Sequence, residues 1–459
     1  MWYETSVRWL LASMICLAPA IVAAQEQAPV RTLAQLTRAA ERSWPGLEAA
    51  RHQLAGARAR LDEATISPFF QLEATAAFTL APEARGTSTF SPDPQLPLDN
   101  PWRPVVSVGV EGAIPLYTFG KLDAARAAAR AGVQAAEHQR ERERMQVVYD
   151  VRRAYYSLQL ALDTLQMINE GQGRLEDAVE KLEQRIEEGD PDVNEHDRWR
   201  LSTTIAEVEA RRSEAERLEA TARAALGTLT GVRRFRVPDC PLERIEIAAR
   251  PLAHYLREAG ASRPELPMLS AGLAARRASL SATEARYYPD IALALGASYS
   301  YGPGITDQTN PFVVDRANYA SLGAALVARW SLDLWGNSYR VERAQSELGE
   351  TRARVDEARL GIALEVTNAY NELADARRRE EAWSRGHRDA RSWFVASAQA
   401  YQVGALEPRE LVDAVKAYFT ARFSHLQAIR DHNVAVANLA RATGTPLLRA
   451  GGWERRCEE

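Results

Sequence analysis

The sequence predicts a mixed α and β protein made of two copies of one unit, each with a pair of β-strands and a very long helical hairpin. Three observations support this fold class. Matching segments recur at offsets of 221, 216 and 215 residues. Two pairs of short segments alternate apolar and polar residues, which is typical of strands with one polar face. Two stretches, 121–188 and 337–403, contain no proline and are rich in helix-forming residues.

The internal repeat sets the predicted organisation of the chain. Residues 67–70 match 288–291, residues 116–120 match 332–336, and residues 187–189 match 402–404. We therefore predict a signal peptide over 1–24, repeat 1 over 25–230, a linker over 231–263, repeat 2 over 264–444 and a C-terminal segment over 445–459. Repeat 1 is predicted to contain helices over 33–66, 121–188 and 193–229 and strands over 68–80 and 104–117. Repeat 2 is predicted to contain helices over 264–287, 337–403 and 408–443 and strands over 290–301 and 319–334.

The N-terminus has the pattern of a secretory signal. An apolar run over 9–23 ends in small residues, which predicts cleavage between Ala24 and Gln25. A membrane anchor is the alternative, but the run is shorter than the roughly 20 residues that a membrane helix needs. Cys16 lacks the preceding small residue of a lipoprotein site, so no lipid is expected. Cys240 and Cys457 remain in the mature chain, where an oxidising periplasm permits a disulfide between them.

Composition excludes several classes of function. The 459 residues carry a formal net charge of -4, which gives no basic footprint for nucleic acid. Phosphate-loop, zinc-protease and serine-hydrolase motifs are absent, and the seven histidines are scattered. His425 and His432 lie seven residues apart on one predicted helix and are expected to pack rather than to bind metal. We therefore expect no enzyme, no cofactor and no metal site.

The alternating segments have the length of membrane strands. Each is about 10 to 13 residues long, enough for a tilted strand to cross a bilayer. Aromatic residues cluster at their ends, as at the interfaces of membrane barrels: Phe69, Phe70, Phe78, Trp102, Tyr117, Phe119, Tyr299, Tyr301, Tyr319, Trp330 and Trp335. A soluble β-sandwich shows the same alternation and is the alternative. The aromatic ends favour the membrane.

The proline-free stretches predict helices of roughly 100 Å at 1.5 Å per residue. Each ends at a short turn, after which a second helix returns, so that two antiparallel hairpins with polar tips are expected. Glycines at which the long helices could bend are Gly171, Gly173 and Gly386. An extracellular coiled-coil adhesin or structural stalk explains the helices but not the strands.

Four strands cannot close a membrane barrel, because about eight is the smallest number whose interior can be filled. The chain must therefore oligomerise if it spans a membrane. Two copies give eight strands with a packed interior, and three give twelve with room for an opening. A pore favours at least a trimer.

The order of strand pair, long helix, glycine-containing tip and return helix, duplicated over essentially the whole mature chain, resembles the TolC family of outer membrane factors. The resemblance implies a homotrimer whose twelve strands form one barrel in outer-membrane lipid and whose helices form a periplasmic α-barrel. It implies that the tips dock a periplasmic adaptor and an inner-membrane pump of the ABC or proton-driven type. Residues 231–263 and 445–459 resemble the family's equatorial belt. The expected location is the outer membrane, with extension into the periplasm.

The tip of repeat 2 carries the most specific resemblance. Residues 401–404 and 411–414 are similar to the family's tip pattern, which implies a pore gate made of Asp413, Glu410 and Tyr401. Leu406 departs from the family pattern, because the best-known relative has arginine there, and this puts that relative's gate salt bridge in doubt. The resemblance implies adaptor docking at the following residues: Gly189, Asp190, Gly404, Leu406 and Leu411. A solvated helix face is the alternative explanation for the two acids.

Two classes of cargo compete. The missing lipid site and the divergent tip favour type I secretion of a protein such as a toxin, with CyaE-like toxin exporters as the relatives to compare first. Multidrug or small-molecule efflux is the alternative, because cargo is chosen mainly by the inner-membrane pump.

Overall fold

The computed structural model describes residues 28–69, 71–83, 101–189, 194–248, 250–305, 317–403 and 405–445. The predicted signal peptide, with its cleavage site between Ala24 and Gln25, lies outside the described residues. So do Asp190 and Gly404 of the predicted tips, and residues 446–459 of the C-terminal segment. Cys240 is disulfide-bonded, and Cys457 lies outside the described residues.

The described chain combines long helices with one antiparallel sheet. Its helices are Leu33–Ser43 (α1), Pro45–Ile66 (α2), Lys121–Glu187 (α3), Glu195–Thr230 (α4), Leu252–Ser262 (α5), Glu265–Glu284 (α6), Leu334–Gln402 (α7) and Pro408–Thr443 (α8). Its strands are Gln71–Pro82 (β1), Trp102–Tyr117 (β2), Asp290–Tyr301 (β3) and Tyr319–Arg329 (β4). The predicted mixed α and β fold class is confirmed. Within the described residues, none of the helices is long and apolar enough for a membrane span.

Residues 33–66, predicted as one helix, form two. Trp44 between α1 and α2 has an extended backbone, with φ −68° and ψ 120°. Pro45 opens α2, and a proline disfavours the helical conformation in the residue before it while fitting the first turn of a helix. The prediction of one uninterrupted helix is wrong, and Pro45 is the reason.

The strand predicted over 319–334 ends at Arg329, and α7 begins at Leu334 instead of at 337. Asp333 caps α7, because its carboxylate accepts a hydrogen bond from the Gly336 N–H at 3.0 Å. A side chain at position 336 would collide with that carboxylate, so the cap requires glycine there. The helix cap overrides the apolar alternation that continued toward it.

The sheet has the strand order β1-β2-β3-β4, with antiparallel pairing throughout. Ala76 pairs with Val108, Val108 with Tyr299, and Tyr299 with Ala320. Directly paired residues lie on the same side of a sheet. The predicted apolar faces of all four strands therefore lie together on one side, and the polar residues lie on the other.

The core lies in the middle of the long helices, where the linker packs against them. Side chains with almost no exposure include Tyr156, Leu158, Leu226 and Leu439. The linker adds Phe235, Val237, Leu242 and Ile245 to the same cluster, and its helix α5 adds Tyr255. Residues of both repeats thus share one core.

Buried polar side chains hold the linker in place. The Ile245 N–H donates to the Asn433 side-chain oxygen at 2.9 Å, and the Asn433 amide donates to the Glu243 carbonyl at 2.9 Å. Asn433 has no exposed surface. Because buried backbone groups need partners, this asparagine of α8 fixes the path of the linker.

Candidate functional site at the hairpin tips

The tip of the first hairpin is set by local sequence. Gly189 follows α3 with φ +74°, a left-handed conformation that favours glycine. At the start of α4, the Asn194 side chain accepts a hydrogen bond from the His196 N–H at 2.9 Å. The Asp197 carboxylate accepts one from the Asn194 N–H at 3.2 Å. The glycine fixes the end of α3, and the capping box fixes the start of α4.

The second tip joins α7 to α8. The Ala405 N–H donates to the Ala400 carbonyl at 2.9 Å, which closes the end of α7. Pro408 opens α8, where a proline fits because the first turn has no intrahelical partner for its missing N–H. The described residues predicted for the gate and the docking tips divide by exposure: Tyr401, Leu406 and Leu411 are half-buried, whereas Gly189, Glu410 and Asp413 are exposed.

The two predicted gate acids lie on one face of α8. Glu410 and Asp413 are three residues apart, which places them side by side on a helix. Leu411 and Ala414 lie on the packed side, and Ala414 has no exposed surface. Within the described residues, no cationic group lies within 4 Å of either carboxylate. The arrangement presents two unneutralised charges at the tip.

Ion pairs tie the two hairpins of one chain together. Lys416 of α8 contacts Glu207 of α4 at 2.8 Å, and Arg422 of α8 contacts Glu170 of α3 at 2.8 Å. Lys416, one turn beyond Asp413, is thereby engaged with a different acid. Exposed pairs of this kind stabilise by about 1 kcal/mol or less each. These ion pairs position the two hairpins relative to each other more than they stabilise the fold.

A glycine of α3 makes room for an aromatic ring of α8. A Cβ at Gly171 would lie 2.6 Å from the Cζ atom of Phe419, a distance that side-chain packing does not tolerate. Sequence reasoning treated Gly171 as a possible bend and missed this contact. Phe419 also lines a cavity of about 490 Å³ between α3, α4 and α8. Packing of the two hairpins near the tip depends on this glycine.

The polar side of the sheet carries paired acids. Glu73 of β1 lies directly opposite Glu111 of β2, and Glu111 lies opposite Gly296 of β3. Like charges directly opposite each other are unfavourable and need water or cations nearby. This side of the sheet is therefore unsuited to lipid.

The apolar side of the sheet is exposed in the single chain. Large apolar residues on this side that are more than half exposed include Leu72, Phe78, Leu80, Leu322 and Leu326. Where the sheet meets the helices, the Phe119 ring stacks on Tyr288 with the ring centroids 5.1 Å apart. It also meets Tyr117 edge-on, with the ring centroids 4.6 Å apart. An apolar band with aromatic ends is typical of the outward surface of a membrane sheet.

A buried acid lies where the linker crosses α3. Burial raises the pKa of Asp163 to about 6, although the Leu242 N–H donates to its Oδ2 at 2.8 Å and Arg422 lies nearby, both of which lower it. Asp239 raises it further. The middle of the helices thus holds a carboxyl that titrates near neutral pH.

The two histidines singled out in the sequence pack inside the protein. His432 is 3% exposed, and its Nε2 bonds to the Ile245 carbonyl at 3.1 Å. The Nε2 of His425 lies 3.4 Å from the buried Glu380. In the part of the chain that the structure describes, no three candidate ligands are grouped to hold a metal ion.

The sequence profile of the family described as "Outer membrane efflux protein" matches residues 36–232 and 255–445, which correspond to the two repeats. CyaE of Bordetella pertussis (strain Tohama I) is 29% identical over 235 residues, covering 50% of this chain and 48% of CyaE. The chain thus matches about half the length of that relative. CusC, a cation efflux system protein of Escherichia coli O157:H7, is 22% identical over 362 residues, covering 76% of this chain and 73% of CusC.

Solved structures share the fold. A crystal structure of CusC superposes with a TM-score of 0.74 and 18% identity over 91% of this chain and 93% of CusC. The family profile covers both repeats and most of the chain. The chain therefore belongs to the outer membrane efflux protein family, whose members are non-enzymatic transport proteins of the outer membrane.

Proposed function

We propose that the protein is the outer-membrane channel of a multi-protein exporter and works as a homotrimer. The observation that carries this proposal is the alignment of all four apolar strand faces on one side of the sheet. Within the described chain, the edge strands β1 and β4 each pair with a single strand, so each leaves one edge unpaired. Three such sheets side by side give twelve strands, apolar outside and polar inside, with every edge paired.

The helices supply a conduit away from the membrane. With 67 and 69 residues, α3 and α7 each measure about 100 Å. The two hairpins begin where β2 and β4 end and run to tips that carry exposed polar residues. Three chains would place six hairpins around one axis as a periplasmic α-barrel.

The acidic face of α8 is the proposed gate. In a trimer, Glu410 and Asp413 would contribute six carboxylates around the axis. Rings of acidic side chains favour cations and bind them at a constriction. Tyr401, half-buried at the end of α7, would hold the closed arrangement, and the Arg-dependent salt bridge of the best-known relative cannot form at Leu406.

Conductance in planar bilayers tests the gate. We expect Asp413→Asn and Glu410→Gln to lower cation selectivity, because each removes three charges from the proposed ring. Glu357→Gln is the matched control, since Glu357 is exposed on α7 away from the tip and has no ion-pair partner in the described chain. Equal selectivity in all four proteins would remove the gate but leave the channel.

The tips are the proposed docking surface for partners. Gly189, Leu406 and Leu411, together with Asp190 and Gly404, would contact a periplasmic adaptor, which connects the channel to an ABC or proton-driven pump. Support comes from family membership and from the exposure of Gly189, while Leu406 and Leu411 are half-buried and thus partly accessible. Adaptor crosslinking that is lost on substitution at the tips, and retained on substitution at Glu357, would support this assignment.

The proposed cargo is a protein exported by type I secretion. The match to CyaE, the missing lipid site and the divergent tip support this proposal. Cation efflux is a second candidate, because the match to the cation efflux protein CusC covers three quarters of the chain. Multidrug efflux is the third.

A deletion strain separates the three cargo classes. Loss of a protein from the culture medium, measured by mass spectrometry, with unchanged tolerance to metal salts and drugs, is the expected result. Sensitivity to transition-metal cations alone would replace protein secretion with cation efflux. Sensitivity to drugs alone would replace it with multidrug efflux.

A further inference from the structure

A cavity of about 510 Å³ lies between the linker, α5, α7 and α8, in the middle of the helices and far from the tips. This volume is in the range of small-molecule sites. The charged and polar residues that line it are Arg244, Arg250, Arg377, Arg378, Glu246 and His432. Four guanidinium groups thus face one carboxylate at this cavity.

Within the described chain, two of these arginines have no ion-pair partner. Arg244 contacts Glu380 at 2.6 Å, and Arg377 contacts Glu381 at 2.9 Å. In the described part of the chain, no acidic group lies within 4 Å of the guanidinium of Arg250 or of Arg378, the remaining two arginines of the cavity. Arginine presents its N–H donors in a fixed fork that matches carboxylate and phosphate oxygens.

A buried histidine gives an independent indication. His432 lines the cavity and is 3% exposed. Its Nε2 donates to the Ile245 carbonyl at 3.1 Å, while its Nδ1 is buried and has no hydrogen-bond partner in the described structure. Buried polar atoms are normally satisfied. With its proton on Nε2, the neutral ring leaves Nδ1 as an acceptor, so the ligand that satisfies it donates a hydrogen bond there, as a hydroxyl does, while its anionic oxygens lie at the arginines. Burial lowers the pKa of His432, and Arg244 and Arg377 lower it further, against the Ile245 carbonyl and Glu380, which raise it. The lowered pKa favours the neutral ring.

The rest of the lining is apolar and aromatic. Tyr255 and Tyr370 place their ring centroids 6.0 Å apart at the cavity, and Leu373 lies beside them. A site made only for hydrated inorganic ions has no need of such a wall. Apolar walls with a few charged groups are typical of sites for organic ligands.

We propose that this cavity binds an organic anion that carries carboxylate or phosphate groups, with Arg250 and Arg378 as its principal ligands. Arg244 and Arg377 add positive charge at the cavity, and the tyrosines contact the organic part. The site is separate from the proposed gate and does not depend on the proposed cargo. Because Arg250 and Arg378 are exposed at the rim, their replacement should leave the fold intact.

Isothermal titration of the detergent-purified, full-length protein at constant ionic strength tests the proposal. The probes are citrate, for a carboxylate ligand, and phenyl phosphate, for a phosphate ligand with an apolar part. We expect saturable binding of one or both, weakened at least tenfold in Arg250→Gln/Arg378→Gln, because both charge-assisted contacts to the anion are lost.

The matched control is Arg352→Gln, an exposed arginine of α7 that lies outside the cavity lining and has no ion-pair partner in the described chain. It should bind both probes as the unmodified protein does. The proposal is overturned if neither anion binds the unmodified protein. It is equally overturned if the double variant binds as tightly as the control. A preference for citrate or for phenyl phosphate identifies the headgroup class.

Discussion

Replacement of Asp163 by asparagine should stabilise the protein at neutral pH. Burial raises the pKa of this carboxyl from 3.8 to about 6. A shift of roughly 2 pKa units corresponds to about 3 kcal/mol of cost for holding the ionised form in the folded state. The asparagine side-chain oxygen can still accept the Leu242 N–H, which donates to Asp163 at 2.8 Å. The substitution thus removes the charge and keeps the contact.

The pH dependence has a definite sign. Because the folded-state pKa is raised, the stability contributed by Asp163 is greatest below the unfolded pKa and falls as the pH rises through the window from about 4 to about 6. At pH 7.5 the full cost is present, and at pH 5 roughly half of it remains. The advantage of Asp163→Asn should therefore shrink to about half between pH 7.5 and pH 5.

The assay is the apparent melting temperature of the purified protein at the two pH values. For a chain of 459 residues, 3 kcal/mol corresponds to about 3 °C. Asp163→Ala is the control, because it also removes the acceptor of the Leu242 N–H and should melt below Asp163→Asn. A variant that melts no higher than the unmodified protein at pH 7.5, or whose advantage does not shrink at pH 5, would refute the reasoning.

Two further predictions concern the packing near the tips and the polar side of the sheet. Gly171→Ala should lower the melting temperature, at a cost of about 1 to 3 kcal/mol, because its Cβ would press on the Phe419 ring. Gly173→Ala should raise it, because no heavy atom lies within 4 Å of that Cβ and alanine favours a helix by about 1 kcal/mol; equal effects at the two positions would contradict the assigned contact. Glu73→Gln/Glu111→Gln should reduce the cation selectivity of channels in planar bilayers, whereas unchanged selectivity would place these acids away from the pore.

Most of the fold follows from local patterns in the sequence. Alternation located the strands, the absence of proline located α3 and α7, and Pro408 marked the start of α8. The break at Trp44 and the early start of α7 at Leu334 were also encoded locally, by Pro45 and by the Asp333 cap. In both places the apolar periodicity continues past the local signal, and the predicted helix over 33–66 and strand over 319–334 followed the periodicity.

Contacts between distant segments could not be predicted from local patterns. The common apolar side of the sheet depends on the register of β2 with β3, which lie more than 170 residues apart. The pairing of Lys416 with Glu207 and the fit of Phe419 onto Gly171 depend on how the hairpins pack. The position of the gate acids came from a family resemblance, and their role as a gate stays a prediction.

Single-channel recording of the purified protein in planar bilayers tests the central claim most directly. A trimeric barrel that continues into a helical conduit predicts discrete, cation-selective conductance steps from a protein that native mass spectrometry shows to be a trimer. A folded protein that never inserts, or that inserts as another oligomer without conductance, would contradict the claim.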